Sequence, residues 1–164
     1  MVILLFILNT SARAKEPILS QVRSLFLLSV KSESSCTNLK SMLEQFNETN
    51  DPVLGAYKAC ASMMMAGYVL NPVLKLSYFN EGKELLEKCI NSASLNIELH
   101  YLRFAMQSEA PSFLGYTGYI SKDKKFILEK VNSVKDKQLR EMIVSYLVKS
   151  PLLTEKEKNK FNHE

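Results

Sequence analysis

Apolar residues recur at helical spacing along nearly the whole chain, and no stretch alternates apolar and polar as a half-buried strand would. Ile18, Val22, Leu25 and Phe26 share one face of a first predicted helix. Leu39, Met42, Leu43 and Phe46 follow the i, i+3, i+4, i+7 pattern of a second. Asp51-Pro52 and Asn71-Pro72 each put a capping side chain before a proline, which at a helix's first position has no N–H to lose. They predict a third helix from Pro52 to about Leu70 and a fourth from Pro72 to about Asn91. The third carries a small-residue stripe of Gly55, Ala56, Ala59, Cys60, Met63, Ala66 and Gly67, so it should be the most buried element. Leu76, Phe79, Leu85, Leu86, Cys89 and Ile90 face the core from the fourth.

Asn96 caps a fifth helix, Ile97 to about Ser108, which Pro111 keeps from continuing. Residues 112–120, Ser-Phe-Leu-Gly-Tyr-Thr-Gly-Tyr-Ile, form an aromatic and glycine-rich loop. Ser121 is the expected cap of a sixth helix bearing Phe126, Ile127 and Val131. Leu139, Met142, Ile143, Tyr146 and Leu147 line a seventh that ends at Pro151, and Thr154-x-x-Glu157 is a capping box for a frayed, charged tail over 154–164. The expectation is an all-α protein of about seven helices in stacked antiparallel hairpins, because short connections favour antiparallel neighbours. Residues 15–164 read as a single domain, since no long polar linker divides them.

Composition fits that expectation. A chain of 164 residues with 46% hydrophobic side chains can bury a core without metal or disulfide staples. The formal net charge is +4, and 11 of the 21 lysines and arginines follow residue 120. Acidic residues interrupt that stretch, as on a solvated helical face, and Arg140 is its one arginine. A nucleic-acid surface needs a one-signed patch with arginines or aromatics among the lysines, so no nucleic-acid partner is expected.

The N-terminus reads as a leader. Val2 to Leu8 is apolar, polar Asn9 to Ser11 follow, and Ala12-Arg13-Ala14 supplies small residues for cleavage after Ala14. Residues 1–14 are therefore expected to be a signal peptide and the protein to be exported, as into a bacterial periplasm; a cytoplasmic chain would instead keep this run as helix. Seven apolar residues do not span a bilayer, so no transmembrane helix is expected in the mature chain. The three cysteines are read as small buried apolar residues, because Cys60 and Cys89 sit at unequal heights on their helices.

Residues 79–101 include Phe-Asn-Glu-Gly-Lys-Glu-Leu-Leu-Glu-Lys-Cys-Ile followed by Ser-Ala-Ser-Leu-Asn-Ile-Glu-Leu-His-Tyr. This resembles the second helix of a tetratricopeptide repeat running into the next repeat, with Gly82, Leu86 and Cys89 at its small, bulky and small positions. Ser94 stands where that pattern has proline, and His100 and Arg103-Phe104 stand for its tryptophan and Leu-Gly. The stretch from Asn71 to Leu128 is similar to small uncharacterised bacterial exported proteins through Leu102-Arg103-Phe104, Gln107 and Phe113-Leu114-Gly115-Tyr116. The resemblance implies stacked helical hairpins and export, and it brings no activity.

Candidate chemistry is sparse. Glu98, His100, Arg103 and Gln107 are the densest polar group on a predicted helix, with Arg103 and Gln107 one turn apart. Beside them stands the loop with Phe113, Tyr116 and Tyr119. Gly-Tyr-Thr-Gly has neither the spacing nor the lysine of a phosphate-binding loop. Two dispersed histidines give no metal ligand set, and no nucleophile has a base beside it in sequence, so neither a cofactor nor an enzyme is expected. The leading expectation is a protein–protein interaction or scaffold module that binds through Arg103, Gln107, Phe113, Tyr116 and Tyr119. Its groove would lie along the third and fifth helices. The alternative is a small-ligand-binding or catalytic helical domain with a polar pocket around Glu98, His100 and Arg103.

Overall fold

The computed structural model describes residues 7–46 and 50–161, with side chains from Pro17 onward. Residues 1–6 of the expected leader, and the side chains of the rest of it, lie outside the described residues. The described residues are all α-helical, with short 3-10 turns and no strand. Eight helices follow in order: α1 Ile7–Ser29, α2 Glu33–Leu43, α3 Pro52–Tyr68, α4 Pro72–Ser92, α5 Ile97–Glu109, α6 Ile120–Lys130, α7 Lys137–Lys149 and α8 Glu155–Lys158. The chain divides into two compact units, Met1–Leu85 and Leu86–Glu164, with the boundary inside α4.

In the first unit α1, α2 and α3 pack on one another. Val22 and Phe26 of α1, Leu39 and Leu43 of α2, and Leu54 and Tyr57 of α3 are buried. Phe26 meets Tyr57 edge-on at 5.3 Å between ring centres. The small-residue stripe is buried from Gly55 to Met63, whereas Ala66 is half-buried and Gly67 exposed. From Val53 to Met63 every α3 residue except Lys58 is buried. Gly82 of α4 comes so close that a Cβ there would lie 2.5 Å from the Ala59 carbonyl oxygen and from Met63 Cγ.

In the second unit α5 packs on α6 and α7. Leu99, Tyr101, Leu102 and Phe104 of α5, Ile127 of α6, and Met142, Ile143 and Leu147 of α7 are buried. The sequence-predicted starts are built as expected. Asp51, Asn71 and Asn96 each accept from first-turn N–H groups, and Thr154 with Glu157 forms a two-way capping box. The α6 start differs. Ser121 does not cap it, because the helix begins at Ile120 and Tyr119 stands at the cap position without a side-chain bond. Cys36, Cys60 and Cys89 are buried and none is in a disulfide, and burial pushes the Cys36 thiol up to about 11.

Candidate functional site

The polar side chains of α5 enter the interior of the second unit. Glu98, His100, Arg103 and Gln107 are all buried. All four lie on α5, whose start is fixed by Asn96, which accepts from the Glu98 N–H at 2.9 Å. Arg103 is the centre of the cluster. Its Nε and Nη2 donate to the two carboxylate oxygens of Asp123 at 2.7 and 2.8 Å, a side-on bidentate pair. Its Nη1 donates to Glu87 at 2.5 Å. Glu87 also accepts from the Tyr116 hydroxyl at 2.9 Å.

His100 completes the ring of contacts. Nδ1 lies 2.6 Å from Asp123 Oδ1 and Nε2 lies 2.8 Å from the Ser94 carbonyl oxygen. A carbonyl can only accept, and Asp123 already accepts from Arg103 at both oxygens. Nε2 therefore donates to the Ser94 carbonyl, and Nδ1 faces the Asp123 carboxylate. The Arg103 guanidinium stands between the two carboxylates of Asp123 and Glu87. Burial pushes the Asp123 carboxyl up, but the bonds and charges of Arg103 and His100 outweigh it and hold Asp123 below the usual carboxylate range. Burial also works against the Arg103 charge, and Asp123 and Glu87 more than offset it, so the guanidinium is held above its usual value. An isolated charge at this depth costs several kcal/mol, so the members of the cluster depend on one another.

The cluster braces the aromatic loop. The Tyr119 N–H donates to Gln107 Oε1 at 3.1 Å, and the Arg103 guanidinium lies 3.9 Å from the centre of the Tyr119 ring. Tyr116 is buried with its hydroxyl on Glu87. Gly115 takes φ +62°, a left-handed conformation that costs glycine little and turns the chain after the Ser112–Leu114 helical turn. Phe113, by contrast, is 85% exposed. The Gly115 turn leaves the Phe113 ring in solvent while Tyr116 goes inward.

The five sequence-chosen residues thus separate by burial. Arg103, Gln107 and Tyr116 are interior, and Phe113 and Tyr119 reach solvent. The expected groove pairs α3 with α5, which belong to different units. The alternative pocket residues His100 and Arg103 already spend every ring or guanidinium nitrogen on a protein acceptor. Gln107 Nε2 is buried without a protein acceptor, which marks the weakest point of the cluster.

Two members were missed in the sequence. Asp123 was read as part of a solvated charged face, yet it is fully buried. Its signal lay in spacing, because Ile120, Asp123, Ile127 and Val131 are three or four residues apart and so share the apolar face of α6. A carboxylate on such a face needs a buried cation, and α5 carries one. Glu87 had no comparable signal, being one of several acidic residues on α4. Compared with family models, curated proteins and solved structures, the chain gives no match. The site is therefore read from its own geometry.

Proposed function

We propose that this protein is an exported interaction module of tetratricopeptide-like type, and that its contact element is the 112–119 loop. One observation carries the reading: Phe113 is 85% exposed on a short loop whose base is tied to the buried cluster. Aromatic side chains dominate binding energy at interfaces, and a loop already held in shape loses less entropy when it docks. Tyr119, 42% exposed and seated on Arg103, flanks the same element. The buried polar residues support that loop rather than touching the partner. A catalytic or ligand pocket at Glu98, His100 and Arg103 has less support, because a site needs convergent groups directed at a ligand and these are directed at one another.

The test is a photo-crosslinking residue placed at Phe113 in the source cells, with the same residue at exposed Lys137 as control. A discrete protein adduct from position 113 and none from 137 is the expected result, and Tyr119→Ala should weaken it while helicity stays unchanged. Identical adducts from both positions, or none from 113, would reject the loop as the contact element. Intact mass of the recovered chain reports cleavage after Ala14 in the same experiment.

A further inference from the structure

The first unit carries an apolar surface that the proposed loop does not use. Leu70 is 94% exposed, Val73 74%, and Leu74 and Leu76 are about half exposed, so Leu76 does not face the core as its spacing suggested. These four form the tip between α3 and α4. Leu28 and Val30, at the end of α1, are also exposed. They flank Ser29, whose carbonyl accepts from the Tyr68 hydroxyl at 2.6 Å. Tyr68 is two residues before Leu70, so the α1 end and the α3–α4 tip share one end of the unit.

Three properties of this end narrow what can cover it. Its rim is mainly basic: no carboxylate occurs between Glu16 and Glu33 or between Asp51 and Glu81, Lys31 and Lys75 stand exposed, and the one carboxylate beside them is Glu33 at the start of α2. The first turn of α4 is already paired, since Pro72 has no N–H and Asn71 accepts from Val73 N, Leu74 N and Lys75 N. Little backbone desolvation is then owed on entering an apolar phase. Its shape is blunt. At about 100° per residue, Leu76, Val73 and Leu74 fan over about 160° of the helix. Asn80 and Glu81 follow within two turns, so there is no long narrow stripe for a partner helix, whose anchors would recur at i, i+4 and i+7. A fluid hydrocarbon surface can surround such a tip on all sides while lysines reach up to headgroups.

We infer that the α3–α4 tip, together with the end of α1, is an interfacial anchor that seats the protein on an anionic lipid bilayer. Leu70, Val73, Leu74 and Leu76 enter the acyl boundary, and Lys31 and Lys75 meet the lipid phosphates. The attachment is peripheral, as no described helix is long and apolar enough to cross a membrane.

The experiment is co-sedimentation of the purified full chain with vesicles of phosphatidylcholine, alone or with about 30% phosphatidylglycerol. Binding is expected to the anionic vesicles, weakened by raised salt but persisting, because the apolar part of the attachment is not screened. The double variant Leu70→Ser/Val73→Ser should lower partitioning by on the order of a hundredfold. Both side chains lie outside the core, so circular dichroism should be unchanged. Lys75→Glu should weaken binding most at low salt. Failure to bind anionic vesicles would overturn the inference. So would a double variant that binds like the parent, which would assign lipid binding to the lysines after residue 120. A third overturning result is a lipid-free dimer that the double variant converts to monomer in sedimentation equilibrium, which would make this end an interface between two copies.

Discussion

Asp123 is the residue on which the second unit's polar interior turns. It receives two bonds from Arg103 and one from His100, and it has no exposure to water. Asp123→Asn keeps the volume but removes the charge, leaving the buried Arg103 guanidinium with only Glu87 as counter-charge. Breaking a buried pair from one side costs about 3–5 kcal/mol, and urea unfolding should show a loss of that order. The pH dependence has a definite sign. Because Asp123 is held below the usual carboxylate range when folded, its contribution is fully present above the unfolded carboxylate value of about 4. It is lost as pH falls from there through the lower folded value. Melting temperature should therefore drop over that acidic window in the parent, and Asp123→Asn should remove part of the slope; an unchanged slope would assign acid sensitivity to other carboxylates. Arg103, Gln107, Tyr116 and Tyr119 were legible because polar groups one turn apart on an apolar helix stand out, as do aromatics among glycines. Their depth was not legible. It depends on Asp123 and Glu87, and sequence distance hides which carboxylates fold back onto α5.

Elements were read most reliably where a local device ends or starts them. Asp51, Asn71, Asn96 and the Thr154–Glu157 pair act within four residues, so their chemistry is complete in the sequence. The start of α6 is not local: the Tyr119 N–H is taken by Gln107, twelve residues away on α5, and the helix begins before Ser121 can cap it. Gly67 and Gly82, two of the three helical glycines, show the same contrast between local and tertiary control. Gly67 lies in the last turn of α3 with open space where a Cβ would be, whereas Gly82 abuts Ala59 and Met63. On propensity alone, alanine should help at both positions by up to about 1 kcal/mol. At Gly67 that gain should appear, as a small rise in melting temperature for Gly67→Ala. At Gly82 overpacking against the α3 backbone should prevail, and Gly82→Ala should destabilise by about 1–3 kcal/mol. Equal effects at the two sites would mean that α4 does not approach α3 as closely as the structure places it.

For the molecule as a whole, no linker announces the division into two units, because it falls in the middle of α4, between Leu85 and Leu86. Both residues belong to a continuous amphipathic pattern, and helical periodicity carries no mark of which neighbours each turn will meet. The charged cluster and the exposed Phe113 belong to the second unit; the exposed apolar end belongs to the first. That separation gives a direct expectation for local opening. Compact units with their own cores tend to open as separate cooperative blocks. Asp123→Asn should therefore raise amide hydrogen exchange across α5, α6 and α7 by about two to three orders of magnitude, as a loss of about 3–5 kcal/mol at about 1.4 kcal/mol per factor of ten implies. The amides of α3 between Leu54 and Met63 should stay as protected as in the parent, since their burial comes from α1, α2 and the Gly82 approach. If α3 loses protection in step with α5, the chain opens as a single block. A change at the cluster would then also loosen the apolar end, and variants at Asp123 would alter lipid attachment without touching the residues that enter the bilayer.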